Sequence, residues 1–268
     1  MTKIDKRKSY KLVLDTETCP LDKDMTDVNP YNMWVYDIGW AIVDKNGTVY
    51  ETRSFIVGEI FFGESDLMQS AYYKNKIPQY MDDIKDGTRI VADWYTIRTQ
   101  LHKDCEKYGI KEIYAHNMYF DYRTVNTTQR WITKSKYRYF FPYGCDICDT
   151  LKMARDVIEK MPSYRTFCEI HGIYTKTGRI SYSAENLYKF IINDPTYIEE
   201  HTALEDVMIE KEILAYCYKQ HKKMRKISTE MKMASCRWRF RCRKMLTHGI
   251  GCCILLQMTG DWKRKIAL

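Results

Sequence analysis

The sequence predicts an α/β fold, with a mixed sheet flanked by helices. Strand-like segments come first along the chain, and helical and strand-like segments alternate after them. Tyr10 to Leu14 is a short apolar run that ends in acidic residues. Tyr36 to Val43 and Val49 to Val57 are rich in β-formers and flank Asp44-Lys45-Asn46-Gly47, whose Asn-Gly pair signals a hairpin turn. These three segments together predict an antiparallel meander.

Helical periodicity begins at Trp94, where Ile97, Leu101, Cys105 and Tyr108 follow at spacings of three and four. Glu112 to Ala115 reads as a short strand, Phe120 to Trp131 as a helix and Phe140 to Cys148 as a further strand. Leu151, Ala154, Ile158 and Met161 keep helical spacing, and His171-Gly172 reads as a helix exit. Ala184 to Ile192 and Thr202 to Tyr218 complete the helices. The stretch 60–90 shows no clear period and is read as an insertion or a loop with helix. No internal repeat stands out.

The chain has 268 residues, 45% of them apolar, enough to build a sizeable core without staples. The charged N-terminus, Met1 to Lys8, has no apolar stretch behind it, so the expectation is a cytoplasmic protein with reduced cysteines. The longest apolar stretch, Gly249 to Met258, is too short for a bilayer. The formal charge of +8 is uneven. From Met231 onward there are nine basic residues and one acidic, while the preceding chain balances 34 against 34.

Composition divides the chain into a main domain over 1–225 and a basic, Cys-rich tail over 226–268. The last 38 residues contain no tyrosine, yet hold Cys236, Cys242, Cys252 and Cys253. The run Arg237-Trp238-Arg239-Phe240-Arg241 alternates basic and bulky residues and could line a nucleic-acid strip. A poorly ordered tail, or sequence foreign to the domain, ranks above that reading. Cys145-x-x-Cys148 has no second pair at zinc spacing, so reduced thiols are expected there.

Three short motifs carry chemistry. Asp15-Thr16-Glu17 ends the first strand, and positions i and i+2 share a face. Two converging carboxylates repel unless a cation neutralises them, and hard oxygen ligands suit Mg²⁺ or Mn²⁺. His116-Asn117-Met118-Tyr119-Phe120-Asp121 follows a strand, with Asn117 as a candidate N-cap and Asp121 one turn into the helix. His201-Thr202-Ala203-Leu204-Glu205-Asp206 opens the last long helix, with Thr202 and Glu205 at capping-box spacing. Five residues at roughly 100° each would leave His201 and Asp206 about 140° apart on a continuous helix. They share a site only if His201 lies on the entering loop. Each motif alone has a bland reading: a surface acidic pair, a capped helix, a solvated helix start.

In conjunction the three motifs resemble the DEDD exonuclease superfamily, in its His-containing, DnaQ-like branch. Asp15 to Thr18 resembles the D-x-E motif, Asn117 to Asp121 the N-x-x-F-D motif, and His201 to Asp206 the H-x-x-x-x-D motif. Asp149 to Arg155 is similar to the family's helix after a strand. The resemblance covers roughly residues 10 to 218 and implies a ribonuclease H-like, mixed five-stranded sheet flanked by helices. It implies Asp15, Glu17, Asp121 and Asp206 as ligands of two Mg²⁺ ions, with Mn²⁺ as a substitute, ~3.5–4 Å apart. His201 would be the base that activates water. Thr16, Thr18, Asn117 and Phe120 resemble positions near the terminal nucleotide. For Phe120, a supporting core position is slightly favoured over stacking on a base.

The expected activity is a metal-dependent 3′→5′ exonuclease releasing nucleoside 5′-monophosphates from DNA, single strands favoured, in proofreading, repair or end trimming. Its partner is nucleic acid with a free 3′ end, with a polymerase as a possible protein partner and no membrane. An exoribonuclease is the alternative, and a silent nucleic-acid-binding module stands behind both.

Overall fold

The computed structural model describes residues 4–5, 7–22, 29–135 and 139–227. Six strands form one sheet among them: β1 (Lys11–Pro20), β2 (Met33–Val43), β3 (Val49–Val57), β4 (Ile90–Ala92), β5 (Glu112–Ala115) and β6 (Asp146–Asp149). Their spatial order is β4-β3-β2-β1-β5-β6. β1, β2 and β3 form the antiparallel meander, whereas β5 and β6 run parallel to β1. A five-stranded mixed sheet is therefore present, and the short β4 extends it alongside β3. Asp44 organises the β2–β3 turn by accepting from the backbone of Asn46 and Thr48. Gly47 adopts φ +80° there, a left-handed conformation that glycine reaches without a Cβ clash.

The segment after β3 holds three small helices, α1 (Gly58–Phe61), α2 (Ser65–Met68) and α3 (Ile77–Lys85). Then come α4 (Trp94–Tyr108), α5 (Tyr119–Thr133), α6 (Thr150–Val157), α7 (Pro162–His171), α8 (Ala184–Ile192) and α9 (Ala203–Lys219). Two sequence expectations change here. The strand anticipated from Phe140 shrinks to Asp146–Asp149, because Phe140 packs on Trp94 and gives its N–H to Asn126 Oδ1. The helix anticipated through Met161 ends at Val157, and α7 restarts at Pro162, whose ring forces the preceding residue to be extended.

Strand alternation divides the core into two layers. Val13 on β1 and Ala41 and Val43 on β2 face a cluster with Val207, Ile213 and Leu214 of α9 and Met153 and Val157 of α6. Trp40, of opposite parity, meets α4 by donating its indole N–H to Asp104, and the backbone N–H of Val35 bonds Thr128 Oγ1 of α5. Residues after α9 still join the sheet, since Asp149 N–H donates to Lys226 O and Ile227 bridges to Cys148. The tail expected from residue 226 thus begins with two residues bound to the sheet, and the rest of it, with its arginine strip, lies outside the described residues. Among the described residues no helix is long and apolar enough to cross a membrane.

Candidate metal centre

Asp15 and Glu17 share the parity of Val13, so both extend the α9-facing side of β1. Their partners on β2 are Gly39 and Asp37, with a bulge just beyond Glu17. The α9 N-terminus rests directly on that part of β2. A Cβ at Gly39 would lie 2.6 Å from Leu204 N, so the missing side chain is what permits the approach. Asp206, in the first turn of α9, thereby joins Asp15 and Glu17, each offering an oxygen within 4.8 Å of the others.

Asp121 arrives from the first turn of α5. Its Oδ1 accepts the Thr16 hydroxyl at 2.8 Å, a bond between buried groups. Both aspartates sit where a helix N-terminus favours negative charge. Neither helix is capped as the motifs suggested. Asn117 takes φ +65° and Met118 is the residue before α5, while Asn117 N–H donates to Asp149. Thr202 makes no side-chain cap on α9, and Glu205 turns instead to Arg89. The Ala203 N–H is taken by Asp37 Oδ2, which also accepts from Arg89 and Tyr80. The cap is tertiary because β2 reaches the helix end before a local side chain does.

Burial dominates the electrostatics of the cluster. It pushes the Asp15 and Glu17 carboxyls well above the usual range, reinforced by Asp121 on the former and Asp206 on the latter. Asp121 rises to about 7 and Asp206 to about 8, again chiefly through burial. Glu210, one turn beyond Asp206, is a fifth carboxyl of the cluster, buried and raised well above normal by burial and by Asp121. Its Oε1 accepts His116 N–H at 2.9 Å. The Oε2 of Glu210 and the Oδ1 of Asp206 are buried with no hydrogen-bond partner among the described residues. Buried anionic oxygens without partners are costly. Divalent cations held by oxygen would remove that cost, so the donor set fits Mg²⁺ or Mn²⁺.

His201 lies on the loop entering α9, in the left-handed region at φ +54°. That turn cancels the angular separation a continuous helix would impose, and His201 and Asp206 fall in one group with Glu199. The imidazole stacks on Tyr73, with centroids 4.5 Å apart and planes 14° apart. Burial lowers its pKa below the ordinary histidine value. Thr18 is buried, Phe120 half-buried and Asn117 exposed.

Sequence reasoning missed Glu210, Glu199 and Tyr73. Glu210 follows Asp206 by four residues and so shares its helix face, a signal that was available. Glu199 and Tyr73 depend on chain paths that no local pattern encodes.

No protein-family model matches the chain, and neither does a curated protein. Among solved structures it is similar to cell-death related nuclease 4 (CRN-4), at 13% identity and a TM-score of 0.46, covering 81% of this chain and 66% of that one. It is similar to exonuclease I from Methylocaldum szegediense, at 14% identity and a TM-score of 0.46, covering 80% of this chain and 41% of that one. It is also similar to E. coli exonuclease I solved with a 5cy-dT13 oligonucleotide, at 14% identity and a TM-score of 0.44, with coverages of 80% and 41%. The matched region thus spans less than two thirds of each of these proteins. The carboxylate geometry, and not these likenesses, bears on function.

Proposed function

We propose that this chain is a metal-dependent 3′→5′ exonuclease of the DEDD type, in its His-containing branch, acting on DNA with single strands favoured. One observation carries the reading: four motif carboxylates converge, three of them buried and Asp15 half-buried, with no side-chain cation ion-paired to them among the described residues, beside a histidine held outside the helix that supplies Asp206. Asp15, Glu17, Asp121 and Asp206 would hold two divalent cations. When bound, such ions lower the pKa of water and stabilise a leaving 3′-oxygen.

The chain's own residues supply the rest. The meander and the two helix N-termini fix the carboxylates before substrate arrives, so little reorganisation is left for the reaction. His201 takes a proton from the attacking water, for which it must be neutral. Its lowered pKa keeps it neutral at physiological pH. Thr16 holds Asp121 through its hydroxyl, and by their resemblance to the family's motif positions Phe120, Asn117 and Thr18 would contact the terminal nucleotide. The product is a nucleoside 5′-monophosphate.

End-labelled single-stranded DNA and matched RNA, each with Mg²⁺, Mn²⁺ or EDTA, test this directly. A metal-dependent ladder descending from the 3′ end is expected, faster on DNA. Faster loss of RNA would make the chain an exoribonuclease, and no degradation with either metal would refute the nuclease reading.

A further inference from the structure

Asp206 belongs to two ligand groups. One is the Asp15–Glu17–Asp206 set. The other is Glu199, His201 and Asp206, whose donor atoms also lie within 4.8 Å of one another. This second set contains an imidazole nitrogen, which Mg²⁺ rarely uses and Zn²⁺ favours. His201 Nδ1 stands 3.5 Å from Glu199 Oε2. That is long for a charge-assisted hydrogen bond, typically ~2.7–2.9 Å. It matches the ~3.3 Å between donors that each lie ~2.0 Å from a tetrahedral zinc. Asp206 is more than nine-tenths buried, and its Oδ1 has no partner. Glu199 is largely buried too, at 11% side-chain exposure, whereas His201 at 33% leaves the group open to solvent. Two carboxylates and one imidazole make a three-ligand set, the number an open zinc site uses.

We propose that Glu199, His201 and Asp206 form a Zn²⁺ site that overlaps the carboxylate cluster through Asp206 and silences it when filled. Zinc there takes the His201 lone pair, so the imidazole no longer accepts a proton, and it draws Asp206 from the neighbouring set. The silencing rests on the nuclease reading; the zinc site does not.

The test separates the two. Zn²⁺ is titrated calorimetrically into the full chain carrying Asp15→Asn, with and without Glu199→Gln. The Asp15→Asn chain is expected to bind one more zinc equivalent than the double variant, or the same equivalent at least tenfold more tightly. Equal binding by both overturns the site. Histidine ¹⁵N spectra of the wild-type chain provide a check free of variants: the His201 Nδ1 resonance shifts on stoichiometric zinc, and an unmoved resonance overturns the site. In a Mg²⁺-driven assay, zinc should inhibit the wild-type chain and leave Glu199→Gln at least tenfold less sensitive; equal sensitivity overturns the silencing. A chain that never cleaves with Mg²⁺ refutes the nuclease reading, while the calorimetry and spectra still decide the zinc site.

Discussion

Two buried acidic centres lie side by side on β1 and β2, and they are treated in opposite ways. Asp37 is fully buried opposite Glu17, and its Oδ2 receives Arg89, the Tyr80 hydroxyl and the Ala203 N–H. Arg89 itself extends to Asp83 and Glu205. The neighbouring cluster of Asp15, Glu17, Asp121, Asp206 and Glu210 receives a hydroxyl from Thr16 and an N–H from His116. Lys76 lowers the Asp206 pKa only as the last of its influences. One centre therefore carries its own cation and serves to pin α9 to β2. The other has no ion-paired cation of its own among the described residues, and a metal ion from solution would supply the charge. Burial is similar in both, so it is the missing counter-charge that distinguishes the site from the scaffold.

The largest effect tests the scaffold side. Arg89→Met should destabilise the chain by about 3–5 kcal/mol, because it leaves Asp37 as a buried charge without its partner. Urea midpoints would report it, and adding Asp37→Asn should recover part of the loss. A midpoint within error of the wild type would mean that the Arg89 network is not what fixes α9.

Next in size is the opposite substitution in the cluster. Asp15→Asn should lower cleavage by about 10²–10³-fold or more, the scale for losing a preorganised electrostatic group. Stability in EDTA should hold or rise, since one member of a repelling set becomes neutral. Normal activity would remove Asp15 from the reaction. A fall in stability would show that its charge is already compensated, erasing the contrast with Asp37.

The motif residues and the elements that bear them were largely legible. β3, β5 and α8 follow from alternation, length and turn chemistry, and α4 from its three-and-four spacing. The angular separation set only a condition, that His201 lie outside the helix if it is to meet Asp206, and His201 does lie there although the capping box that suggested it does not form. What stayed hidden is whatever depends on contacts remote in sequence. The segment from α1 to β4 has short elements whose apolar residues answer to different neighbours, so no period builds up. It nevertheless delivers Tyr73 to His201 and Arg89 to Asp37. The Thr202–Glu205 spacing looked like a local cap, yet Arg89 and Asp37 outcompete it. Buried side-chain charge is settled by tertiary partners, and those cannot be read from a spacing.

Third is the linkage of pH and metal. Unfolded aspartates titrate near ~3.9, whereas Asp121 and Asp206 titrate at about 7 and about 8 in the folded chain. Between these values the folded state binds more protons, so stability in EDTA falls as pH rises from about 4 to about 8. Asp37, raised to about 6 by burial despite Arg89, adds to the slope below that value. Mg²⁺ at one hundred times its Kd should restore ~2.7 kcal/mol, chiefly at the alkaline end. Urea midpoints at three pH values, with EDTA and with Mg²⁺, check both signs. A slope that Mg²⁺ leaves unchanged would assign it to Asp37 and the scaffold.

The smallest effect concerns Thr16, which lies between Asp15 and Glu17 in the chain and whose hydroxyl the cluster uses internally. Its resemblance to a substrate-contacting position and its 2.8 Å bond to Asp121 make different demands on kinetics. If the hydroxyl holds Asp121 in place, Thr16→Val should lower kcat by roughly tenfold, the low end for groups that orient metal ligands. KM for a short oligonucleotide should stay unchanged, because no ground-state contact is lost. Stability should fall by about 1–2 kcal/mol, the loss of one buried hydrogen bond to a carboxyl. A raised KM with intact kcat would instead put the hydroxyl on the nucleotide. The cluster would then hold Asp121 by the fold alone, and its dependence on solution cations would be greater than the Thr16 bond suggests.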